Sequence, residues 1–319
     1  MNIRHRLLTV AGVALAGALA AGCGRAEPDP VAGVPAFAVD APAVTLVEPG
    51  GNPQVLSFAT PTEQDPWETE VRVFGGIEQS VQSAAEVSEE APAGGDVNST
   101  TLPLAVTSRP APAPGDGENT ADRRVDFTVG SGRHTDLKLG QEVASAEGFA
   151  MSWRAENSGR VDTLKLLAPP ESSTTGRGIV ESSLLTLMST NVVFPAEPVG
   201  VGGSWTVSGR VTGDASMLRT TTYTVAGISG DTVTLNVSVE ERPTQQELTI
   251  DNEIAGELNG ANLAVEHSAT TSEGGITVDL RRPIPVDGRV SATTRVIYSG
   301  PQPDVRVVQD ITNAVEYGG

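Results

Sequence analysis

The chain is short of the residues that most often carry chemistry or cross-links. Cys23 is the one cysteine among 319 residues, so no intrachain disulfide can form. Stability must then come from core burial and sheet hydrogen bonding. Three histidines are present, and His134 and His267 lie in no HxxxH or HxH spacing. No metal-ligand pattern results, and no cofactor is expected. Walker A and dinucleotide fingerprints are missing from any strand–turn–helix context, and there is no Gly-x-Ser-x-Gly elbow. Val129-Gly130-Ser131-Gly132-Arg133 reads as an ordinary glycine turn, and Glu89-Glu90 and Glu240-Glu241 read as solvated charges. A Ser-His-acid triad is recognised by geometry rather than chain order. It would need His134 or His267 beside a serine and an acid in one cleft, so the expectation is a protein that is not an enzyme. Aromatics make up only 4% of the chain, which throws weight on the few present. Trp67, Trp153, Trp205, Phe149 and Tyr223 fall in strand-like runs and are read as core anchors. Lysine is limited to Lys138 and Lys165, and acids outnumber bases 40 to 21, for a net charge of -19. Nucleic acid and anionic headgroups are therefore not expected as partners, by bulk electrostatics.

Long apolar runs are also scarce. Residues 7–19 form one, too short for the roughly 20 residues that span a bilayer, and nothing later is more apolar. With Arg4 and Arg6 before it and Ala20-Ala21-Gly22-Cys23 after it, the run reads as an export signal over residues 1–22. The segment resembles a bacterial lipoprotein signal, which implies a diacylglyceryl thioether on Cys23 and cleavage on its amino side. An ordinary secretory signal cut near Ala20 or Gly22 is the alternative. Acyl chains of the palmitate class at about 0.8 kcal/mol per buried CH₂ would make a durable membrane anchor. Removing the signal leaves 19 basic against 40 acidic residues, about -21. Residues 23–42, with prolines at 28, 30, 35 and 42, are expected to be a semi-extended tether.

Residues 43–319 are expected to form one β-rich domain. Period-two alternation predicts strands near 44–58, 68–74, 102–108, 124–129, 149–153, 161–167, 205–211, 219–225, 232–239, 264–271, 276–280, 290–298 and 305–315. Residues 79–121, rich in Ala, Pro, Ser, Gly and acids, read as a mobile insertion around the 102–108 strand. The main helix is expected at 178–191, with Ile179, Val180, Leu184, Leu187 and Met188 as its apolar stripe. It would end before Pro195, because a residue preceding proline is pushed out of the α region. Residues 245–262 read as a polar loop or a short helix. Gly274-Gly275 reads as a turn ahead of a strand. Strands that follow one another through turns argue antiparallel pairing. The fold class expected is mostly β, one large antiparallel domain as a curved sheet, half-barrel or sandwich.

Three stretches belong together: Pro49-Gly50-Gly51-Asn52-Pro53; Phe194-Pro195-Ala196-Glu197-Pro198-Val199-Gly200-Val201-Gly202-Gly203-Ser204-Trp205; and the Gly-Gly-x-x-x-Asp-Leu-x-x-Pro-x-Pro pattern over residues 274–285. The set is similar to an uncharacterised family of exported actinobacterial lipoproteins, defined as a domain of unknown function. The likeness covers most of 44–315 outside the insertion. It implies an envelope location and a single β-rich domain, and it implies no activity. Read physically, the prolines of the second stretch hold an extended crossover and its glycines permit close backbone approach. The functional expectation is an extracytoplasmic lipoprotein, on the outer face of the cell membrane, that binds a lipid or other apolar small molecule as carrier or sensor. The alternative is an interaction scaffold for an envelope protein, with no ligand cavity. Surplus apolar side chains on a concave face would favour the first, and a filled sandwich the second.

Overall fold

A computed structural model describes residues 29–94, 97–211, 217–249 and 262–318. In chain order the elements are β1 (Phe37–Ala38), β2 (Ala43–Glu48), β3 (Gly51–Gln54), β4 (Asp65–Ser83), β5 (Ser99–Pro110), β6 (Arg123–Val129), β7 (Arg133–His134), α1 (Leu137–Ala144), β8 (Ala150–Ala155) and β9 (Val161–Leu167). There follow α2 (Thr174–Ser189), β10 (Val199–Val201), β11 (Ser204–Val211), β12 (Met217–Ser229), β13 (Thr232–Pro243), β14 (Glu247–Thr249), β15 (Asn262–Asp279), β16 (Asp287–Ser299) and β17 (Val305–Tyr317).

The expected mostly-β, antiparallel architecture is what forms. Among the described residues, fifteen strands make one antiparallel sheet. Its order is β1-β9-β8-β6-β5-β4-β17-β16-β15-β13-β12-β11-β2, with β7 on β5 and β14 on β15. β3 and β10 pair separately. The sheet is open, because its end strands do not pair with each other. It is nonetheless strongly curled. β1 lies on β9 at one end of the order and β2 lies on β11 at the other. Only residues 39–42 separate them, a reach of at most about 18 Å at ~3.6 Å per residue. A single N-terminal segment thus spans the gap between the two ends.

Alternation puts the core inside the curl. In β13, Val233, Leu235, Val237 and Val239 are buried while Thr234, Asn236, Ser238 and Glu240 face water. The core gathers Trp153, Trp205, Phe127, Phe149, Tyr223 and Phe194 with α2 residues Val180, Leu184 and Leu187. The expected aromatic anchors are therefore interior, except that Trp67 is half-buried under the Arg282 guanidinium, 5.5 Å from its ring. Curvature has a local cause. Gly75-Gly76 and Gly274-Gly275 sit in the interiors of β4 and β15, where missing side chains let strands bend and approach. A Cβ on Gly274 would stand 2.9 Å from the Val237 Cβ. The turn expected at Gly274-Gly275 is thus replaced by one continuous strand.

Other boundaries move as well. α2 starts a turn earlier than expected, at Thr174, because Ser173 caps it by accepting the Gly176 N–H at 3.0 Å. α1 was not foreseen; Val143 is its one buried residue, too little to leave a periodic signature. Part of 79–121 belongs to the sheet rather than to an insertion, and the strand expected at 102–108 extends further at both ends. β4 runs to Ser83, β5 fills Ser99–Pro110, and Ala91 is buried with its carbonyl accepting from Thr271 Oγ1 at 2.7 Å. The stretch expected as a tether is laid on the sheet from Asp29 onward. The Asp29 carboxylate takes two 2.7 Å hydrogen bonds from Arg124, and Val31 is buried beside it. Of residues 245–262, Glu247–Thr249 form β14 and Asn262 opens β15, while 250–261 lie outside the described residues.

Candidate functional site

Two places collect unusual residues: the packed end of the curl, where the three sequence stretches meet, and an open cleft beside α2.

At the packed end, β10 pairs with β3, so the first two stretches are direct partners. A Cβ on Gly200 would fall 2.0 Å from the Gly51 carbonyl oxygen, and one on Gly50 2.3 Å from the Gly203 nitrogen. Backbone contacts backbone, which only glycine permits. Behind this seam Phe58, Phe194, Trp205 and Tyr223 form a chain of ring contacts with centroids 5.2–5.7 Å apart. The Trp205 indole donates to the Val193 carbonyl at 2.8 Å. Ile284 of the third stretch is buried, and the Leu280 carbonyl accepts from the Ala59 N–H at 2.8 Å. Arg123 stacks on Phe58 at 4.2 Å, and burial pushes its guanidinium down to about 10, still charged at neutral pH. The end is filled and structural.

The cleft is different. It encloses about 680 Å³ between α2 and the concave wall made by β4, β5, β17, β12 and β13. Val73 and Ile77 of β4, Ile179 and Leu185 of α2, Met217 of β12 and Ile311 of β17 give it apolar sides. Its floor is charged but closed. Arg219 and Glu241 form a buried pair, their side chains 7% and 2% exposed, with Nε and Nη2 each 2.7 Å from Oε1. Thr294 donates to the other carboxylate oxygen at 2.9 Å, and Arg219 Nη1 donates to Ser189 Oγ at 2.8 Å. The pair therefore ties the end of α2 to β12, β13 and β16. At the next residue after Ser189, the Thr190 hydroxyl is 2.7 Å from that of Tyr317, and burial pushes the Tyr317 and Tyr223 phenols well above their ordinary range. These tyrosines contribute hydrogen bonds and no charge.

Beneath the floor the sheet splits. β13 and β15 are in register only from Thr232 to Asn236. Beyond that, the Val239 and Glu241 N–H groups donate to Ser272 Oγ at 2.8 Å and Thr270 Oγ1 at 2.9 Å. Side-chain hydroxyls thus stand in for strand carbonyls and keep the Val239 and Glu241 N–H groups satisfied where the strands part. Glu241 corrects the expectation for Glu240-Glu241: neighbours on a strand face opposite sides, and only Glu240 is solvated.

The two histidines are placed apart. His134 lines the cleft, but its Nδ1 accepts the Asp136 N–H at 3.0 Å, a turn ahead of α1. His267 is half-buried beside the bulge in β15. Among the described residues neither makes a hydrogen bond to a serine or carboxylate side chain, and no three His, Cys, Asp or Glu groups converge on a metal position. Cys23 lies outside the described residues. Among the described residues no helix is long and apolar enough to cross a membrane. Gly132 of the 129–133 turn packs where a Cβ would meet Val143 Cγ1 at 2.7 Å, which seats α1.

Among the described residues the fold is thus an open, curled antiparallel sheet with α1 and α2 against it. Residues 181–282 match the model of a family of unknown function, DUF6263. The matched region begins within α2 and runs through β10–β13 and β15, so it supplies the α2 lining from Glu181 to Ser189, but not Ile179, and the Arg219–Glu241 floor of the cleft. The β4, β5 and β17 side comes from outside it. No curated protein matches the chain.

Proposed function

We propose that this is a non-enzymatic binding protein of the bacterial envelope, anchored through a lipidated Cys23, which takes a ligand with an apolar portion into the cleft beside α2. The observation that carries the reading is the cleft itself. Its 680 Å³ falls within the roughly 300–1,000 Å³ of small-molecule sites. Apolar sides over a satisfied polar floor suit one chain of an amphiphile rather than a fully polar solute. The export-type segment before Cys23 supports the address, and the acidic balance favours a neutral or zwitterionic headgroup over an anionic one.

The test is native mass spectrometry of residues 24–319 purified from a lipid-containing host, with organic extraction of bound material. A one-to-one adduct is expected, lost in Leu185→Trp, which fills the cleft from α2. A clean apo mass that takes up no added single-chain lipid would overturn the reading. The competing reading, a scaffold for an envelope protein, is supported by the filled aromatic end, which has a packed core in place of a cavity.

A further inference from the structure

β4 is longer than its neighbour β5. Residues 65–74 pair with β5, whereas residues 71–83 pair with β17. Beyond Phe74, no described strand lies on the β5 side of β4. The last bond there runs from the Gly75 N–H to the Asn98 carbonyl at 3.1 Å. Backbone groups of a strand alternate in direction, so the N–H and C=O of Ile77, Gln79 and Val81 point the same way as those of Gly75, out of the sheet. No described residue bonds to them on that side. The same residues put their side chains on the concave face, in phase with buried Val71 and Val73, and Ile77 and Val81 are 57% and 59% exposed there.

Such an edge is a template for another strand unless it is blunted by charge, proline or shortness. This one is not blunted. Residues 75–83 hold no lysine, arginine or proline, and Glu78 is their one charge. The end strands of the sheet are guarded by contrast: β1 has two residues, and β2 is flanked by Pro42 and Pro49.

We infer that this edge pairs with the same edge of a second copy, antiparallel about a two-fold axis through Gln79. Three features of the strand fit that occupant. Pairing Gln79 with its counterpart sets Ile77 opposite the partner's Val81, and Val81 opposite the partner's Ile77, so all four exposed apolar side chains meet on one face. The register also aligns outward-pointing backbone groups with one another, so pairs 77–81, 79–79 and 81–77 each exchange two hydrogen bonds. Glu78 then faces a serine, Ser80 of the second copy, and no like charges oppose. A shift of the axis to Ser80 keeps the backbone parity but sets Val81 against Gln79 and Ile77 against Ser83, which parts the apolar groups. The dimer would join two sheets edge to edge and bring the two clefts to one side of a continuous concave surface. Ile77 belongs to both the cleft and the edge. The contact is small, so association is weak and strongest at high local concentration, as on a membrane surface.

The test is disulfide trapping with the full chain carrying Cys23→Ser, so that an introduced thiol is unique, together with sedimentation across a hundredfold concentration range. In the paired register the two Gln79 Cα atoms are about 5.5 Å apart, within disulfide reach, while the two Gln82 positions lie about 20 Å apart. Gln79→Cys is expected to form a covalent dimer under mild oxidation at least tenfold faster than Gln82→Cys. Val81→Lys, on the same strand, is expected to shift sedimentation to monomer without altering the far-UV spectrum. A wild-type chain that stays monomeric at all concentrations, or equal trapping at the two positions, would overturn the pairing.

Discussion

Glu241 carries the sharpest consequence at the level of single residues. Its carboxylate holds Arg219 and accepts from Thr294 where water does not reach. Removing one member of such a pair strands the other and typically costs about 3–5 kcal/mol, while replacing both by apolar groups of similar volume is often close to neutral. Glu241→Ala is therefore expected to lower the urea-unfolding free energy by about that amount. The double change Arg219→Met with Glu241→Met should restore most of it. Asp29 gives a pH signature. Its hydrogen bonds from Arg124 hold the carboxyl below its ordinary value of 3.8. A depressed carboxyl stabilises the folded state above that ordinary value and stops doing so as pH falls through the lowered one. Protection of the Val31 N–H, which donates to Asp29 Oδ1 at 3.1 Å, should hold from pH 7 to 5 and fall only in stronger acid. In Asp29→Asn it should be weak throughout, as hydrogen exchange would register. The buried status of Glu241 was readable in principle, since it shares parity with Val237 and Val239. Ending the strand at 239 hid it.

At the level of elements, most strands were legible because alternation is a direct record of one wet and one dry face. β6, β9 and β17 are found nearly to their ends. The misses have physical causes. α1 buries one residue, so its pattern carries little information. The second half of β4 alternates exposed and half-buried residues beside an unpaired edge, and so resembles loop composition. The sequence motifs pointed to the filled end rather than the cleft, because glycine and proline mark backbone crowding more clearly than they mark an opening. That crowding is testable. Gly200→Ala drives a Cβ onto the Gly51 carbonyl and should cost at least about 2 kcal/mol in chemical denaturation. Gly178→Ala, on α2 with nothing within 4 Å of the added carbon, should stabilise by about 0.5–1 kcal/mol.

For the molecule as a whole, the arrangement is a sheet too long to stay flat and too open to close. Curl at the paired glycines brings its ends near enough for residues 37–48 to bridge them, and the aromatic cluster fills the interior at one end. α2 packs its Val180–Leu184–Leu187 face into that interior and leaves Ile179 and Leu185 beside the concave wall. The cleft is what remains between a helix satisfied on one side and a sheet that outruns it. No single segment encodes it, since its sides come from β4, α2, β12, β13 and β17, which meet only through the topology.

The binding account stands or falls on where a ligand sits. Hydrogen–deuterium exchange with and without a saturating single-chain zwitterionic lipid measures this directly. The account predicts added protection confined to α2 from Gly178 to Ser189 and to β4 from Val73 to Ile77, with the β3–β10 seam unchanged. Protection at the seam, or none along α2, would contradict it.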